Sequence, residues 1–408
     1  MYKWGGNKNV GLLTSVKKKA LFKKEEDEKK QQLVPYLHKD LVSSILIRLP
    51  LESLQHSRFV CKPWFNIVSS PLFIDDHLGR SESVLIFLRP YSRGSLYHSP
   101  MTPLIPEKPN VFSVEANLHS KSSASIFGLE TLNRQTKFCM QFVEFQEGKS
   151  TIRPYNLSCI GRVRAACNGL ILLDNKLKKG GLIVMNPVTR KLDALPVGTL
   201  CAAHKESYGF ALNNVTGDYK VVHLFQDEIG YVSCEILNAR TRSWRGTNGP
   251  AFGLFGWFGY RSISAIGALH WVPHVDRNDY LVSMEVEDDK FHTVPLPETA
   301  RTKDGIIEMG GHLCFVTHKG LNIEIWSLES LSGCKWIKRY SISEGVTSDM
   351  VPLCSQRISG DVIFRRRDQS IHVFDVKSQV VRKIEMDKEF TPVFDECLVP
   401  HVNSLVSW

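Results

Sequence analysis

The sequence predicts a mainly β protein, with a small N-terminal α-helical module followed by a β-propeller of about six or seven blades. Residues 33–78 carry apolar side chains at helical spacing. From about residue 81 onward, short runs rich in β-branched and aromatic residues alternate with turn sequences. More than 300 residues of this kind exceed a β-sandwich, and blades of about 40–50 residues would fill them six or seven times.

The first 32 residues form a lysine-rich leader, in which nine lysines face four acidic residues. The leader holds more than half of the net charge of +9. A basic run can contact nucleic acid or act as a nuclear signal, but we expect a solvated, poorly ordered segment. The remaining chain is only mildly basic, so we expect no nucleic-acid partner.

The ten cysteines are widely scattered and form no Cys-x-x-Cys pair. The spacing therefore predicts neither a zinc ribbon nor a redox motif, and we expect no metal and no other cofactor. No apolar run has the length of a secretory signal or a transmembrane helix. We expect reduced thiols in a protein of the cytoplasm, the nucleus or both, without a membrane partner.

The first predicted helix begins at Asp40, whose side chain can cap it, and ends at Pro50. Its apolar residues Leu41, Ile45 and Leu46 fall at spacings that share one face. A helix of this length buries little surface on its own.

Two further helices are predicted in the module. One spans residues 51–60, and the other begins near Lys62, places Pro63 in its first turn and ends at the Ser-Ser-Pro sequence of residues 69–71. Three such short helices are marginally stable alone. We therefore expect the module to dock onto another protein through exposed apolar positions.

Eleven strands are predicted after the module. They lie at residues 83–88, 169–174, 181–186, 219–225, 232–238, 268–273, 280–286, 312–318, 321–328, 360–366 and 370–376. Residues 183–196, 234–245 and 324–338 each have the form of the outer hairpin of a blade, in which a strand passes through a polar turn and returns. Stacking such blades in a ring would bury both of their faces.

No nucleophile elbow, zinc-protease, phosphate-loop or calcium-loop motif occurs in the chain, and we expect no enzymatic activity. The aromatic sequence FGLFGWFGY (252–260) has two interpretations, as packing between blades, which we favour, or as a rim loop that contacts a substrate. The weak candidates for substrate binding are Trp257, Phe258 and Tyr260 in this sequence, together with Arg365 and Arg366. The arginines are more typical of a solvated loop.

Residues 36–78 closely resemble an F-box. The matching residues, in order, are Leu37, Asp40, Leu41, Ile45-Leu46, Arg48-Leu49-Pro50, Ser53-Leu54, Val60-Cys61-Lys62, Trp64, Ser70-Pro71, Phe73 and His77. The chain departs from the family pattern at His38, Gln55, Ser57 and Pro63, where proline, leucine, phenylalanine and serine are usual. The loss of two apolar side chains could weaken adaptor binding.

The remaining chain, residues 81–408, resembles the F-box-associated domain of the large plant F-box family. The resemblance rests on residues 167–170, 186–190, 195–196, 208–210, 218–222, 243–245, 267–271, 291, 296–297, 310–314, 325–326 and 403–407. Such domains are understood as propellers related to kelch repeats.

The resemblance implies a substrate-receptor subunit of a Skp–cullin–F-box ubiquitin ligase, which does no bond chemistry itself. The F-box would bind a Skp-family adaptor, and through it a cullin, while the propeller would bind a protein substrate and hold it near the ubiquitin-loaded enzyme. The expected adaptor contacts are Leu37, Leu41, Ile45, Leu46, Leu49, Pro50, Leu54, Val60, Cys61, Trp64 and Ile67. Any of these could instead belong to the module's own core. A propeller scaffold with a weakened F-box, acting outside a ligase, is the alternative.

Overall fold

A computed structural model describes residues 37–90, 138–146, 149–155, 160–175, 178–201, 205–250, 261–273, 278–301, 304–343, 349–386 and 398–408. The chain divides into two compact units, Met1–Phe73 and Ile74–Trp408. None of the helices in these described ranges combines the length and the apolar character that crossing a bilayer requires.

The N-terminal unit is built from short helices. In chain order the helices are α1 (Lys39–Leu46), α2 (Leu51–Ser57), α3 (Lys62–Val68) and α4 (Pro71–Arg80), and α4 continues past the end of this unit at Phe73. The three predicted helices are confirmed, with Pro63 in the first turn of α3. Helix α4 was not predicted, because the Ser-Pro sequence before it reads as a helix end. In the structure Ser70 Oγ accepts the amide N–H of Phe73 and Pro71 opens a new helix.

The cap of α1 differs from the prediction. Asp40 lies inside the first turn, and the capping group is His38, whose Nδ1 accepts the backbone N–H of Asp40 at 3.4 Å. The predicted cap at Asp40 is therefore wrong by two residues. His38 replaces the proline that is usual at this position, and it supplies an acceptor for an otherwise unpaired helical N–H group.

The second unit contains the strands. In chain order they are β1 (Ser83–Pro90), β2 (Phe138–Gln146), β3 (Lys149–Tyr155), β4 (Ile160–Cys167), β5 (Leu170–Asn175), β6 (Leu182–Asn186), β7 (Lys191–Ala194), β8 (Glu206–Leu212), β9 (Tyr219–Gln226), β10 (Val232–Asn238), β11 (Ser243–Thr247), β12 (Ile263–Ala265), β13 (Ala268–Trp271), β14 (Asn278–Glu285), β15 (Phe291–Ala300), β16 (Gly305–Met309), β17 (His312–Lys319), β18 (Asn322–Leu328), β19 (Trp336–Ile342), β20 (Val351–Ser355), β21 (Val362–Arg365), β22 (Ile371–Asp375), β23 (Val380–Lys383) and β24 (Val399–Val402).

These strands form six antiparallel sheets of four, and the fold is a six-bladed β-propeller. Blade 1 has the order β24-β1-β2-β3, blade 2 contains β4–β7, blade 3 β8–β11, blade 4 β12–β15, blade 5 β16–β19 and blade 6 β20–β23. The first strands β4, β8, β12, β16, β20 and β24 contact one another in that cyclic order and line the centre of the ring. The predicted propeller is confirmed, with six blades.

The C-terminal strand closes the ring. β24 pairs antiparallel with β1, so blade 1 combines the last strand of the chain with the first three. Six apolar clusters then fill the six spaces between neighbouring blades. In this way each blade buries both faces against its neighbours, which a single four-stranded sheet cannot do.

Three of the sequences on which the resemblance rests, at residues 167–170, 186–190 and 403–407, contact one another next to β24. Asn186 Nδ2 donates to the carbonyl oxygens of Ser404 (3.0 Å) and Val406 (2.6 Å), and Ser404 Oγ donates to the carbonyl oxygen of Asn168 (2.7 Å). Gly169 has a φ of +88° and leaves no room for a Cβ beside Ser404 Oγ. These motifs therefore fasten the C-terminal segment to blade 2.

A second recurring contact joins the outer edges of neighbouring blades. Trp244 on β11 donates its indole N–H to the carbonyl oxygen of Pro196 at 2.9 Å, and Trp336 on β19 donates to that of Pro295 at 2.7 Å. In both cases a tryptophan on the outermost strand of one blade reaches a proline at the edge of the preceding blade. These two tryptophans thus have a role in packing between neighbouring blades.

Candidate functional site

The N-terminal unit leaves an unusual number of large apolar side chains exposed. They are Leu37, Leu41, Ile45, Phe59, Val60, Phe65 and Leu72. Four of them were predicted as adaptor contacts, whereas Phe59, Phe65 and Leu72 were not. Phe59 is the most exposed, at 87%. We call this set the outward face of the module; scattered single apolar residues are ordinary on a surface, but seven in so short a segment are not.

Helix α1 carries two apolar stripes rather than one. Val42 and Leu46 are buried, whereas Leu41 and Ile45 are more than half exposed. Residues four apart lie above one another on a helix, so each pair marks its own stripe. Sequence spacing placed Ile45 and Leu46 together, but the structure puts Leu46 in the core and Ile45 on the outward face.

The remaining predicted contacts divide between surface and core. Three of them, Leu46, Leu54 and Ile67, are buried. Leu49 and Trp64 are half-buried, whereas Pro50 and Cys61 are exposed. The buried residues form the core of the module, so they would support an adaptor contact by holding the helices in place. Assignment of individual residues to the adaptor stays a prediction.

The departure at Ser57 concerns the core. Ser57 is 5% exposed, and its hydroxyl donates to the carbonyl oxygen of Ser53 at 2.8 Å. The hydroxyl is therefore paired within its own helix and carries no unsatisfied hydrogen bond. The missing apolar side chain at this position bears on the packing of the module more than on its outward face.

The propeller has two unlike ends. Because neighbouring strands in each blade are antiparallel, the turns between second and third strands share one end with the connections that lead to the next blade. We call this the upper end. Large apolar side chains exposed there are Leu200, Ile229, Tyr231 and Leu321. The strand ends that flank residues 91–137 and 251–260 also lie at the upper end.

Two of the five predicted substrate contacts, Arg365 and Arg366, lie at the upper end. Arg365, the last residue of β21, is only 9% exposed, and Arg366 is half-buried with its Nε donating to Asp349 at 2.9 Å. Arg367, the third arginine of the cluster, is exposed. Trp257, Phe258 and Tyr260 lie outside the described residues.

A buried polar network crosses from blade 2 to blade 3 near the upper end. Arg164 on β4 donates to Asp174 at 2.5 Å and to Glu206 at 2.6 Å. His223 on β9 lies between two carboxylates, with Nε2 3.2 Å from Glu206 and Nδ1 2.8 Å from Glu235. Its ring is 1% exposed.

The charges in this network stabilise one another. Burial alone would raise the pKa of Glu206, but the hydrogen bond with His223 and the charge of Arg164 lower it to about 2. Burial alone would lower the pKa of His223, but its hydrogen bonds to Glu206 and Glu235 raise it. Burial and the nearby carboxylate of Glu206 raise the pKa of the Cys201 thiol. The sequence reasoning missed these residues, since they come from separate elements and follow no motif.

Comparison with known proteins identifies both units. Residues 36–76 match the F-box domain, and residues 121–402 match the F-box associated beta propeller domain. The chain belongs to the F-box proteins with an F-box-associated β-propeller. The predicted resemblance is thereby confirmed.

Several relatives in Arabidopsis thaliana are similar to this chain at low identity. The F-box protein CPR1 is 23% identical over 83% of this chain and 82% of its own length, and the F-box protein At5g49610 is 21% identical over 88% and 92%. The F-box/LRR-repeat protein At2g43260 is 23% identical over 74% of this chain, which spans only 66% of that relative's length. An F-box joined to a propeller supports the general role of a substrate adaptor in a ubiquitin ligase. Proteins of this substrate-receptor family are generally non-catalytic.

Proposed function

We propose that this F-box protein is the substrate-binding subunit of a Skp–cullin–F-box ubiquitin ligase. The observation that carries the proposal is the outward face of the module, whose apolar side chains are exposed beside a core formed by Leu46, Leu54 and Ile67. A Skp-family adaptor would cover this face and bring the cullin with it. Burying a side chain such as Ile45 stabilises a complex by about 1.5–3 kcal/mol.

In this proposal the propeller binds a protein substrate at its upper end. Exposed Ile229 and Tyr231 on blade 3, Leu321 on blade 5 and Arg367 on blade 6 offer apolar contacts and a positive charge at this end. The strands that flank the aromatic sequence at residues 252–260, which holds three of the predicted candidates, meet the same end of the propeller. The bound substrate would meet the ubiquitin-loaded enzyme at high effective concentration.

The proposal is tested by the affinity of the full chain for a Skp-family adaptor. The double variant Leu41→Ala with Ile45→Ala removes two exposed side chains of α1. We expect it to weaken adaptor binding by 10-fold or more, since apolar residues at the centre of an interface cost more than about 1 kcal/mol each when truncated. Ile229→Ala on the propeller removes an even more exposed apolar side chain and should leave the affinity unchanged.

Two outcomes contradict the proposal. A wild-type chain that does not bind the adaptor would favour the alternative, a protein-binding scaffold with a weakened F-box. A double variant that binds as tightly as the wild type would show that the adaptor uses another surface. Thermal unfolding of each variant establishes that the changed affinity does not come from a loss of folding.

A further inference from the structure

Three side chains with metal-binding atoms meet beside the polar network. Cys201 lies on the connection from blade 2 to blade 3, Glu206 begins β8 and His223 lies on β9. Cys201 Sγ is 3.1 Å from Glu206 Oε2 and 3.7 Å from His223 Nε2, and the latter two atoms are 3.2 Å apart. Three different donor types thus converge on one point from three segments of the chain.

The triangle has the dimensions of one face of a zinc tetrahedron. With Zn–S near 2.3 Å and Zn–N or Zn–O near 2.0–2.1 Å, tetrahedral angles place sulfur about 3.5 Å from nitrogen or oxygen, and nitrogen about 3.3 Å from oxygen. The three distances in the structure lie within about half an ångström of these values. Thiolate, imidazole and carboxylate together are a donor set typical of zinc.

Two of the three groups that could bind the ion, His223 and Glu206, have a partner on the far side. His223 Nδ1 lies 2.8 Å from Glu235, whose carboxylate also accepts the backbone N–H and the hydroxyl of Thr199 at 2.7 and 3.0 Å. The other oxygen of Glu206 accepts Arg164 at 2.6 Å. Carboxylate–histidine pairs and hydrogen-bonded ligand carboxylates of this kind orient the ligands of protein zinc sites.

One carboxylate oxygen of Glu206 has more hydrogen-bond donors around it than it can accept. Glu206 Oε2 lies within hydrogen-bond distance of Cys201 Sγ, of His223 Nε2 and of Tyr208 Oη, the last at 3.1 Å. An oxygen with two lone pairs cannot accept three strong hydrogen bonds with good geometry. A divalent ion would replace the protons on sulfur and on Nε2, so that two of the three donors become ligands and the net charge of the site stays the same.

We propose that Cys201, Glu206 and His223 bind a Zn²⁺ ion. The ion would fasten the connection at Cys201 to the two inner strands of blade 3, with Arg164 and Glu235 holding two of the ligands in place. Three protein ligands leave one tetrahedral position, which a water molecule can fill. Cys201 is half-buried, so the ion can reach the site from solvent.

A cysteine nucleophile is the other chemistry that a Cys–His–Glu arrangement suggests, and the surroundings oppose it. Reactive cysteines have a lowered thiol pKa, whereas burial and Glu206 raise that of Cys201. The imidazole of His223 is held between two carboxylates and stacks on Tyr208, with ring centroids 4.4 Å apart. These contacts fix the ring in place, which suits a ligand.

The test is the metal content of the purified full-length chain. After incubation with Zn²⁺ and dialysis against metal-free buffer, we expect about one zinc per chain. With Co²⁺ in place of Zn²⁺, we expect a thiolate-to-cobalt charge-transfer band. Retention of less than about 0.1 zinc per chain, or the absence of that band, would overturn the proposal.

Variants then locate the ion. Cys201→Ser should abolish the cobalt–thiolate band and the stoichiometric zinc, and Glu235→Gln should weaken zinc binding by about 10- to 100-fold through the orientation of His223. Cys334→Ser is the matched control, since Cys334 is also half-buried and its thiol donates only to a backbone carbonyl. A band that persists in Cys201→Ser, or disappears in Cys334→Ser, would overturn the assignment. If Cys201→Ser does not fold, the wild-type stoichiometry and cobalt spectrum still decide.

Discussion

The two units of this F-box protein bury their large apolar side chains to very different extents. The propeller places its large residues in six clusters between blades and closes the ring with its own last strand, so its interior is complete within one chain. The module buries Leu46, Leu54 and Ile67 but leaves seven large apolar residues exposed beside them. The propeller thus completes its packing within one chain, whereas the module keeps exposed the apolar side chains that the proposed adaptor contact would cover.

The largest expected effect comes from opening the ring. Deletion of residues 399–408 removes β24, leaves β1 without its inner partner and removes the acceptors of Asn186. We expect a chain without a cooperative thermal unfolding transition, measured by calorimetry. Asn403→Ala is the control and should unfold cooperatively. A truncated chain that unfolds within a few degrees of the wild type would show that closure does not hold the propeller together.

A single truncation between blades comes next. Phe364 is fully buried between blades 5 and 6, and Phe364→Ala should lower the free energy of unfolding by about 3–5 kcal/mol. Ile358→Ala, on an exposed turn of the same blade, should change it by less than about 0.5 kcal/mol. Urea denaturation measures both. Equal effects of the two variants would contradict the described packing.

The same contrast can be made inside the module. Leu54→Ala should destabilise the module by about 2–5 kcal/mol, because it empties a fully buried position. Phe59→Ala removes a larger side chain that is 87% exposed and should cost less than about 0.5 kcal/mol. Hydrogen exchange of the module amides reports the stability of this unit separately. A large loss in Phe59→Ala would show that the outward face is part of the core.

Acid should act on the propeller through its buried histidines. Burial lowers the pKa of His401 to about 3, from an ordinary value near 6.5. The unfolded chain therefore takes up a proton below about pH 6.5 that the folded propeller does not, so stability falls as the pH falls. We expect His401 alone to account for a loss of about 2 kcal/mol between pH 7 and pH 5.

The variant His401→Phe should remove that part of the pH dependence. Neither ring nitrogen of His401 has a hydrogen-bond partner among the described residues, so stability at pH 7 should change by less than about 1.5 kcal/mol. His312→Gln, at an exposed position, should keep the wild-type pH dependence. Urea titrations at pH 5 and pH 7 measure these differences. If the free energy of unfolding of His401→Phe falls between pH 7 and pH 5 as much as that of the wild type, the acid sensitivity does not come from His401.

The strands that could be predicted from the sequence are those buried on both faces. The eleven predicted strands are middle strands of the six blades. The outermost strands β7, β11 and β19 were predicted only as the return strands of the outer hairpins, and β7 and β11 are mostly exposed and lack an apolar run. The first strands, such as β12 and β16, are short and irregularly buried. An apolar composition marks strands whose side chains are buried. It does not mark an exposed strand that forms only because it pairs with the neighbouring strand.

The limits were similar at the candidate sites. Helical spacing located the apolar residues of α1 but could not separate the Val42–Leu46 stripe from the Leu41–Ile45 stripe, since both have the same period. The polar network around His223 was not predicted, because its members are ordinary residues on different strands and only the blade contact brings them together. The F-box motif, by contrast, is contiguous and was found from sequence.

The most direct test of the contrast between the two units is hydrogen exchange of the full chain with and without a Skp-family adaptor. We expect the adaptor to slow exchange across residues 37–68 and to leave the propeller strands between residues 138 and 402 unchanged. Protection confined to the propeller, or no protection in the module, would contradict the account that the module is the unit built to be covered.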